Sequence, residues 1–279
     1  MKVGFIGAGN MAGALIRGLV ASGKITPDNV LVTDRSATRA PALAKELELT
    51  YLPDSDHVAQ QAELLVMAVK PAQMSAVLTQ IASHLQPPVT VVSLAAGFPL
   101  AAMRQALADG MEGDLPQEVK VIRAMPNVNA LVGESMTALS VDGVSEADLA
   151  PVREVFDCAG KTAVIAESQF AAFSALAGCS PAWLYTVVDS LARAGVKHGL
   201  AKPVATQMVA QAMLGSAKLV LQQIDEGGAS PQDLVDRVTS PGGTTIAGLL
   251  AAQEAGLAAS LVRAVDAAVE RDAQLSGDA

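Results

Sequence analysis

Two glycine-bearing turns hold the residues best suited to chemistry in this 279-residue chain. The first is Gly7-Ala8-Gly9-Asn10-Met11-Ala12, which follows the apolar run Val3–Ile6 and opens a helical pattern. In a G-x-G-x-x-A turn, Gly7 makes the sharp reversal and Gly9 lets the backbone approach a diphosphate. Ala12 permits close packing of helix on strand. The diphosphate then meets the unpaired N–H groups and positive dipole end of the helix. A second strand pattern ends in Asp34, where an acid can hold the adenosine ribose hydroxyls of NAD. Arg35, Ser36 and Arg39 follow at once and suit a 2′-phosphate, which Asp34 would repel. Replacing Asp34 by serine is therefore expected to favour NADPH over NADH, and both cofactors stay open.

The second turn is Ser240-Pro241-Gly242-Gly243-Thr244-Thr245. Pro241 fixes one backbone angle, and the glycines let the chain fold back before a helix that Thr245 opens. The first N–H groups of such a helix lack internal partners and point outward, which makes a carboxylate site. The plainer possibility is that Thr244 or Thr245 only caps the helix. Other reactive types are sparse. His57, His84 and His198 show no partner spacing and read as surface residues, and no metal-ligand cluster or nucleophile elbow stands out. Lys70 reads as a brace beside a strand end, Cys179 as packing, and Met103, Met208 and Met213 as core. Alcohol oxidation needs a positioned base. An imine nitrogen can carry its own proton, so its reduction needs mainly alignment and a held carboxylate.

The elements that must position these turns follow from periodicity. Strands are expected at Lys2–Ile6, Asn29–Thr33, Leu64–Ala68, Val89–Ser93, Val119–Arg123, Met136–Ser140 and Thr162–Ile165. Helices between them run Met11–Ser22, Ala37–Glu46, Gln73–His84 and Glu146–Phe156, the last begun by Ser145. That alternation predicts an α/β fold with a parallel, Rossmann-like sheet. After Glu167 only helices are expected: Gln169–Ala177, Pro181–His198, Pro203–Asp225, Gln232–Val238, Thr245–Ala255 and Leu257–Leu275. The division is residues 1–166 for the dinucleotide-binding domain and 167–279 for an all-helical domain.

Composition narrows the setting. With 51% hydrophobic and 17% charged residues the chain can bury a sizeable core. A net charge of −9 disfavours nucleic acid as a partner. Cys158 and Cys179 make no disulfide framework, which fits a reducing cytoplasm. The apolar start up to Arg17 is too short to span a membrane, and no other stretch reads as membrane-spanning, so a soluble protein is expected.

The motifs GAGNM, AVKP, SLAAG, RAMPN, GCSPAW, AGVKHGL and VTSPGGTT, in this order along the whole chain, resemble the pyrroline-5-carboxylate reductase family. The resemblance implies a Rossmann-like domain followed by a helical dimerisation domain. It implies reduction of 1-pyrroline-5-carboxylate to proline with NADPH or NADH in a cytoplasmic homodimer or larger homo-oligomer. Carried over by position, Ile6, Gly7, Ala8, Gly9, Asn10 and Met11 contact the cofactor phosphates. Asp34, Arg35, Ser36 and Ser55 lie on the adenosine side. Ala68, Val69, Lys70 and Pro71, with Ala95 and Ala96, line the ribose and nicotinamide. Ser240, Gly242, Gly243, Thr244 and Thr245 receive the substrate carboxylate, and the Thr245 hydroxyl serves catalysis near the ring nitrogen. Departures fall at Val128 and Asn129, where the family commonly has Thr-Pro, and at Ser55, where an asparagine is common. At Cys179 and Trp183 it commonly has serine and tyrosine. Two other readings remain: a β-hydroxyacid-type dehydrogenase, for which Lys197 is the one candidate base, and a dinucleotide-binding regulator without turnover.

Overall fold

The computed structural model describes residues 1–276, and their side chains through 274. The final residues 277–279 of the expected second domain lie outside the described residues. The chain folds as two compact units, Met1–Gly178 joined by the segment from Arg271, and Cys179–Glu270.

The first unit is built on eight strands: β1 (Val3–Ile6), β2 (Val30–Thr33), β3 (Thr50–Tyr51), β4 (Leu64–Met67), β5 (Val89–Ser93), β6 (Val119–Met125), β7 (Ser135–Val141) and β8 (Gly160–Val164). Their order in the sheet is β3-β2-β1-β4-β5-β6-β7-β8. Helices α1 (Asn10–Ala21), α2 (Arg39–Leu47), α3 (Ser55–Ala59), α4 (Pro71–Ile81), α5 (Leu100–Met111), α6 (Glu146–Asp157) and α7 (Phe170–Phe173) accompany them. Side chains alternate across the sheet, so Val3, Phe5, Leu64 and Val66 bury against Leu15, Ile16, Leu43 and Phe156 on one face. Ile6, Leu65 and Met67 bury against Met74, Leu78, Met103 and Leu107 on the other. Both faces are covered, which is why these strands are apolar runs. The chain leaves β1 toward β2 and β3, then crosses back to β4 on β1's other side. Ligands of open α/β sheets bind at such a switch point.

Three features depart from the expected elements. The sheet is parallel as expected except at one pair, where β7 runs antiparallel to β6. The Pro126–Glu134 connection is too short for a crossover helix, so the chain can only turn back. β3 and α3 carry no expectation, and α5 none beyond Met103 as a core residue, which is buried there. β3 is two residues long and α3 five, too short for a periodic signal, whereas α5 buries Leu100, Met103, Ala106 and Leu107 at a helical spacing readable in the sequence.

The third departure is a π-helix over Ser174–Cys179, which overlaps the end of the helix expected at Gln169–Ala177 and runs past it. Pro181 has no N–H to give Ala177 O, its partner four residues back, and its ring crowds that carbonyl. The side-chain amide of Asn127, itself buried, donates to Ala177 O instead at 2.9 Å.

The second unit contains α8 (Ser180–Lys197), α9 (Lys202–Asp225), α10 (Pro231–Val238), α11 (Thr244–Glu254) and most of α12 (Leu257–Ser276). α8 and α9 approach closely through small residues, with a Cβ at Gly195 only 3.0 Å from that of Ala205. Lys202 and Arg193 both pair with Asp189, whose carboxyl is held below the usual range first by the Arg193 guanidinium and then by Lys202. The buried positions here are small, Pro181, Ala192 and Ala205 among the described residues. Large apolar side chains stay outside: Leu191 is 52% exposed, Met208 55% and Val262 61%. Met208 is thus not in the core, contrary to expectation: it lies on a helix face left uncovered by the described residues of its unit. Glu167–Lys197 and Lys202–Asp225 are also long and apolar enough to cross a membrane by length and composition, which corrects the expectation that no such stretch exists.

Candidate functional site

The first turn closes as its residue types require. Gly7 has φ +109, and a Cβ there would stand 2.6 Å from Ala68 O, so only glycine fits between β1 and β4. Gly7 N–H donates to Thr33 O and Ala68 N–H to Ile6 O, which joins the ends of β1, β2 and β4. Gly9 is the N-cap of α1 without a side-chain cap bond, and α1 has no acid in its first turn. A Cβ at Gly9 would meet nothing within 4 Å, so a ligand can come against the backbone and the helix N-terminus.

Beside this turn lies a cleft of about 470 Å³. Ile6, Gly7, Gly9, Asp34, Arg35, Ser55, Ala68, Val69 and Lys70 line it, all of them positions singled out from the sequence. Ala8 and Asn10 line a neighbouring cleft along α1, and Met11 packs against the core. Pro71 begins α4, with Lys70 as its N-cap residue. Ala95 is buried and Ala96 exposed, at the far end of β5. The lining adds Thr33, Pro53, Asp54, Gln73, Val77 and Gln80, which sequence reasoning missed, and Arg39, which it weighed. Gln73, Val77 and Gln80 share one face of α4, a spacing already visible in the sequence.

Charge in the cleft is more committed than the sequence suggests. Asp34 accepts Ala8 N–H at 2.7 Å and Ser36 N–H at 2.6 Å, and its carboxylate lies 3.4 Å from the Arg39 guanidinium. Its side chain is 8% exposed. Asp54 caps α3 by accepting His57 N–H, and the His57 ring lies 2.7 Å from the same oxygen. That backbone N–H, followed by the ring, holds the Asp54 carboxyl below the usual range. His57 therefore has a partner, which its spacing did not suggest, and His84 lies near Asp56. Asn129, one of the departures, donates its N–H to Asn127 Oδ1.

In the second unit, Ser240–Thr245 folds as a tight turn closed by Gly243 N–H on Ser240 O at 3.0 Å, with Gly242 at φ +68. α11 starts at Thr244, one residue before its expected start, with Gly243 as N-cap and no side-chain cap bond. The plain capping role for the threonines is therefore not what the structure shows. No acid lies in the first turn, so its outward N–H groups face no competing carboxylate there. Thr186 and Thr206, deep in helices, return their hydroxyls to the carbonyl four residues back. Thr245, second in its helix, has no such helical carbonyl.

Comparison with known proteins covers both units. A family model described as pyrroline-5-carboxylate reductase dimerisation matches residues 167–275. Another, described as NADP oxidoreductase coenzyme F420-dependent, matches residues 2–97. The pyrroline-5-carboxylate reductase of Escherichia coli (strain K12) is 37% identical, over 99% of this chain and 98% of its own. Among solved structures, that of the Coxiella burnetii pyrroline-5-carboxylate reductase superposes with a TM-score of 0.89 at 28% identity, covering 98% of each chain. The Plasmodium falciparum pyrroline carboxylate reductase, solved with NADP bound, superposes with a TM-score of 0.81 at 27% identity, covering 99% of this chain and 98% of that one.

Proposed function

Since the chain belongs to the pyrroline-5-carboxylate reductase family, we propose that it reduces 1-pyrroline-5-carboxylate to L-proline, the last step of proline biosynthesis. It is an oxidoreductase acting on a C=N bond with NADPH or NADH. The observation that carries this reading is the pairing of a Rossmann-type cofactor cleft with the acid-free N-terminus of α11 on one chain. When bound, the reduced nicotinamide supplies the hydride. The imine carbon accepts it, the C=N electron pair passes to nitrogen, and the protonated nitrogen already carries its hydrogen. The protein's residues must therefore hold and align. Ser240 and Gly242–Thr245 receive the carboxylate on the α11 N–H groups, and the Thr245 hydroxyl meets the ring nitrogen. Ile6–Met11 take the cofactor phosphates, and Ala68–Pro71 with Ala95 and Ala96 line its ribose and nicotinamide side. Purified protein should oxidise NADPH or NADH only when the five-membered imine acid is added, followed by absorbance. Cofactor binding without oxidation would leave a dinucleotide-binding regulator.

The bonds of Asp34 redirect the cofactor expectation. Its two oxygens hold the glycine turn through Ala8 and its own turn through Ser36, and Arg39 offsets its charge. In this reading Asp34 shapes the turn for either cofactor, and Arg35, Ser36 and Arg39 remain to meet a 2′-phosphate. Asp34→Ser should raise the Michaelis constants for NADH and NADPH together, by about tenfold each, as the loss of charge-assisted hydrogen bonds predicts. A gain for NADPH with a loss for NADH would instead place the carboxylate opposite the 2′-position.

Residues 167–279 act, in this reading, as the dimerisation and substrate domain of a cytoplasmic homo-oligomer. The support is the dimerisation match together with the apolar faces of α8, α9, α11 and α12, which find no cover within the unit. Two copies would interleave these faces and complete the substrate pocket. The membrane-length helices lie inside the segment that the dimerisation model matches, so a second copy covers them better than lipid does.

A further inference from the structure

A charge pair of the first unit, Arg123 with a half-buried Glu167, holds the helix start that follows the β5 loop. Glu167 Oε1 accepts the N–H of Leu100, the first residue of α5, at 2.9 Å. The same oxygen accepts from Arg123 of β6 at 3.1 Å. Arg123 is 10% exposed in its side chain and lies with its guanidinium carbon 4.4 Å from the centroid of the Phe170 ring. Aromatic face and carboxylate thus fix the guanidinium, and the guanidinium fixes the carboxylate. α5 has no acid of its own in its first turn, so Glu167 is the anion at its positive end.

What this fixes is the Leu94–Pro99 loop. At its near end Leu94 N–H donates to Met67 O, and Ala95 N–H donates to the fully buried Ser93 hydroxyl at 3.1 Å. At its far end Pro99 O accepts Met103 N–H at 3.1 Å, and Leu100 N–H donates to Glu167 at 2.9 Å. Between them Ala96 and Gly97 make a turn, with Gly97 at φ +69, a conformation that favours glycine. We propose that Glu167 is a positioning residue for the hydride donor: through Leu100 N–H and Arg123 it sets the loop carrying Ala95 and Ala96. This rests on the reading of that loop as the nicotinamide side of the cofactor site. Glu167 is also the first residue matched by the dimerisation model, although it lies in the sheet-containing unit.

The test uses full-length enzyme and three variants. Glu167→Ala removes the acceptor and leaves Arg123 unpaired. Glu167→Gln keeps an oxygen for Leu100 N–H and loses the charge. The double variant Arg123→Met with Glu167→Ala removes the whole pair, which avoids an uncompensated buried charge. Two readouts are taken: NADPH affinity by fluorescence titration, which needs no turnover, and the primary isotope effect with 4-deuterated NADPH. Glu167→Ala and the double variant should weaken NADPH by about tenfold and raise the isotope effect, as misplacement makes hydride transfer slower. Glu167→Gln should restore both to within about twofold of wild type. Unchanged affinity and isotope effect in the double variant would overturn the proposal, and so would Glu167→Gln as damaging as Glu167→Ala. If wild type binds NADPH but never turns over, the function fails while the affinity arm still judges the loop.

Discussion

Gly243→Val should raise the Michaelis constant for the imine acid by roughly thirty- to a hundredfold, the equivalent of about 2–3 kcal/mol of charge-assisted hydrogen bonding. The backbone at Gly243 is extended, with φ −77 and ψ 169, so a side chain is tolerated there by torsion alone. Space is the obstacle. A Cβ would stand 2.5 Å from Ser240 Oγ and 3.1 Å from Ser240 O, the carbonyl that closes the turn. A hydroxyl can rotate away, but a carbonyl cannot move without opening the turn and swinging the first N–H groups of α11 off the carboxylate. The dinucleotide cleft lies among residues of the other unit, so NADPH affinity should stay within about twofold. Steady-state kinetics with fluorescence titration of NADPH separates the two. An imine Michaelis constant like that of wild type would remove this turn from the substrate site.

Thr245→Val should lower turnover by about ten- to a hundredfold while moving the imine Michaelis constant by less than about threefold. Valine keeps the shape and removes the hydroxyl. No side-chain cap bond of α11 is lost with it, because Gly243 is the N-cap. In the proposed reading the hydroxyl accepts from the iminium N–H and donates to the nitrogen lone pair that forms as hydride arrives. That interaction strengthens toward the transition state, so its loss falls on turnover. Thr245→Ala should match the valine variant. Full turnover in Thr245→Val would reduce the residue to packing.

What could be read in advance was local. The strand-turn-helix of Val3–Ala21 and the Pro-Gly-Gly turn before α11 are written in consecutive residues, and so are most helices. The acid at Asp34 was visible, but its bond to Ala8, 26 residues away, was not, and that bond changes its expected effect on cofactor choice. Glu167 gave no signal, since its meaning depends on Leu100, 67 residues earlier. The turn-back at β7 depends on strand pairing, and the π-helix depends on Asn127 reaching Ala177, 50 residues on. Pro181 is a local clue to that widened turn, visible only when its missing N–H is counted against the carbonyl four residues before it.

The order in which this chain is made has its own consequence. Emerging from the ribosome at about 5–20 residues per second, its first 178 residues complete both faces of the sheet before most of α8 is available. The helices that follow have few places to bury leucine and valine within their own unit, so with a second copy as the proposed cover, the final step of folding is an encounter between chains. Its rate then rises with the square of the concentration of half-finished molecules. Scarce expression would leave these faces waiting for a partner, and abundant expression would bring them against any sticky neighbour, so chaperones that shield apolar helices should matter most for the newest copies.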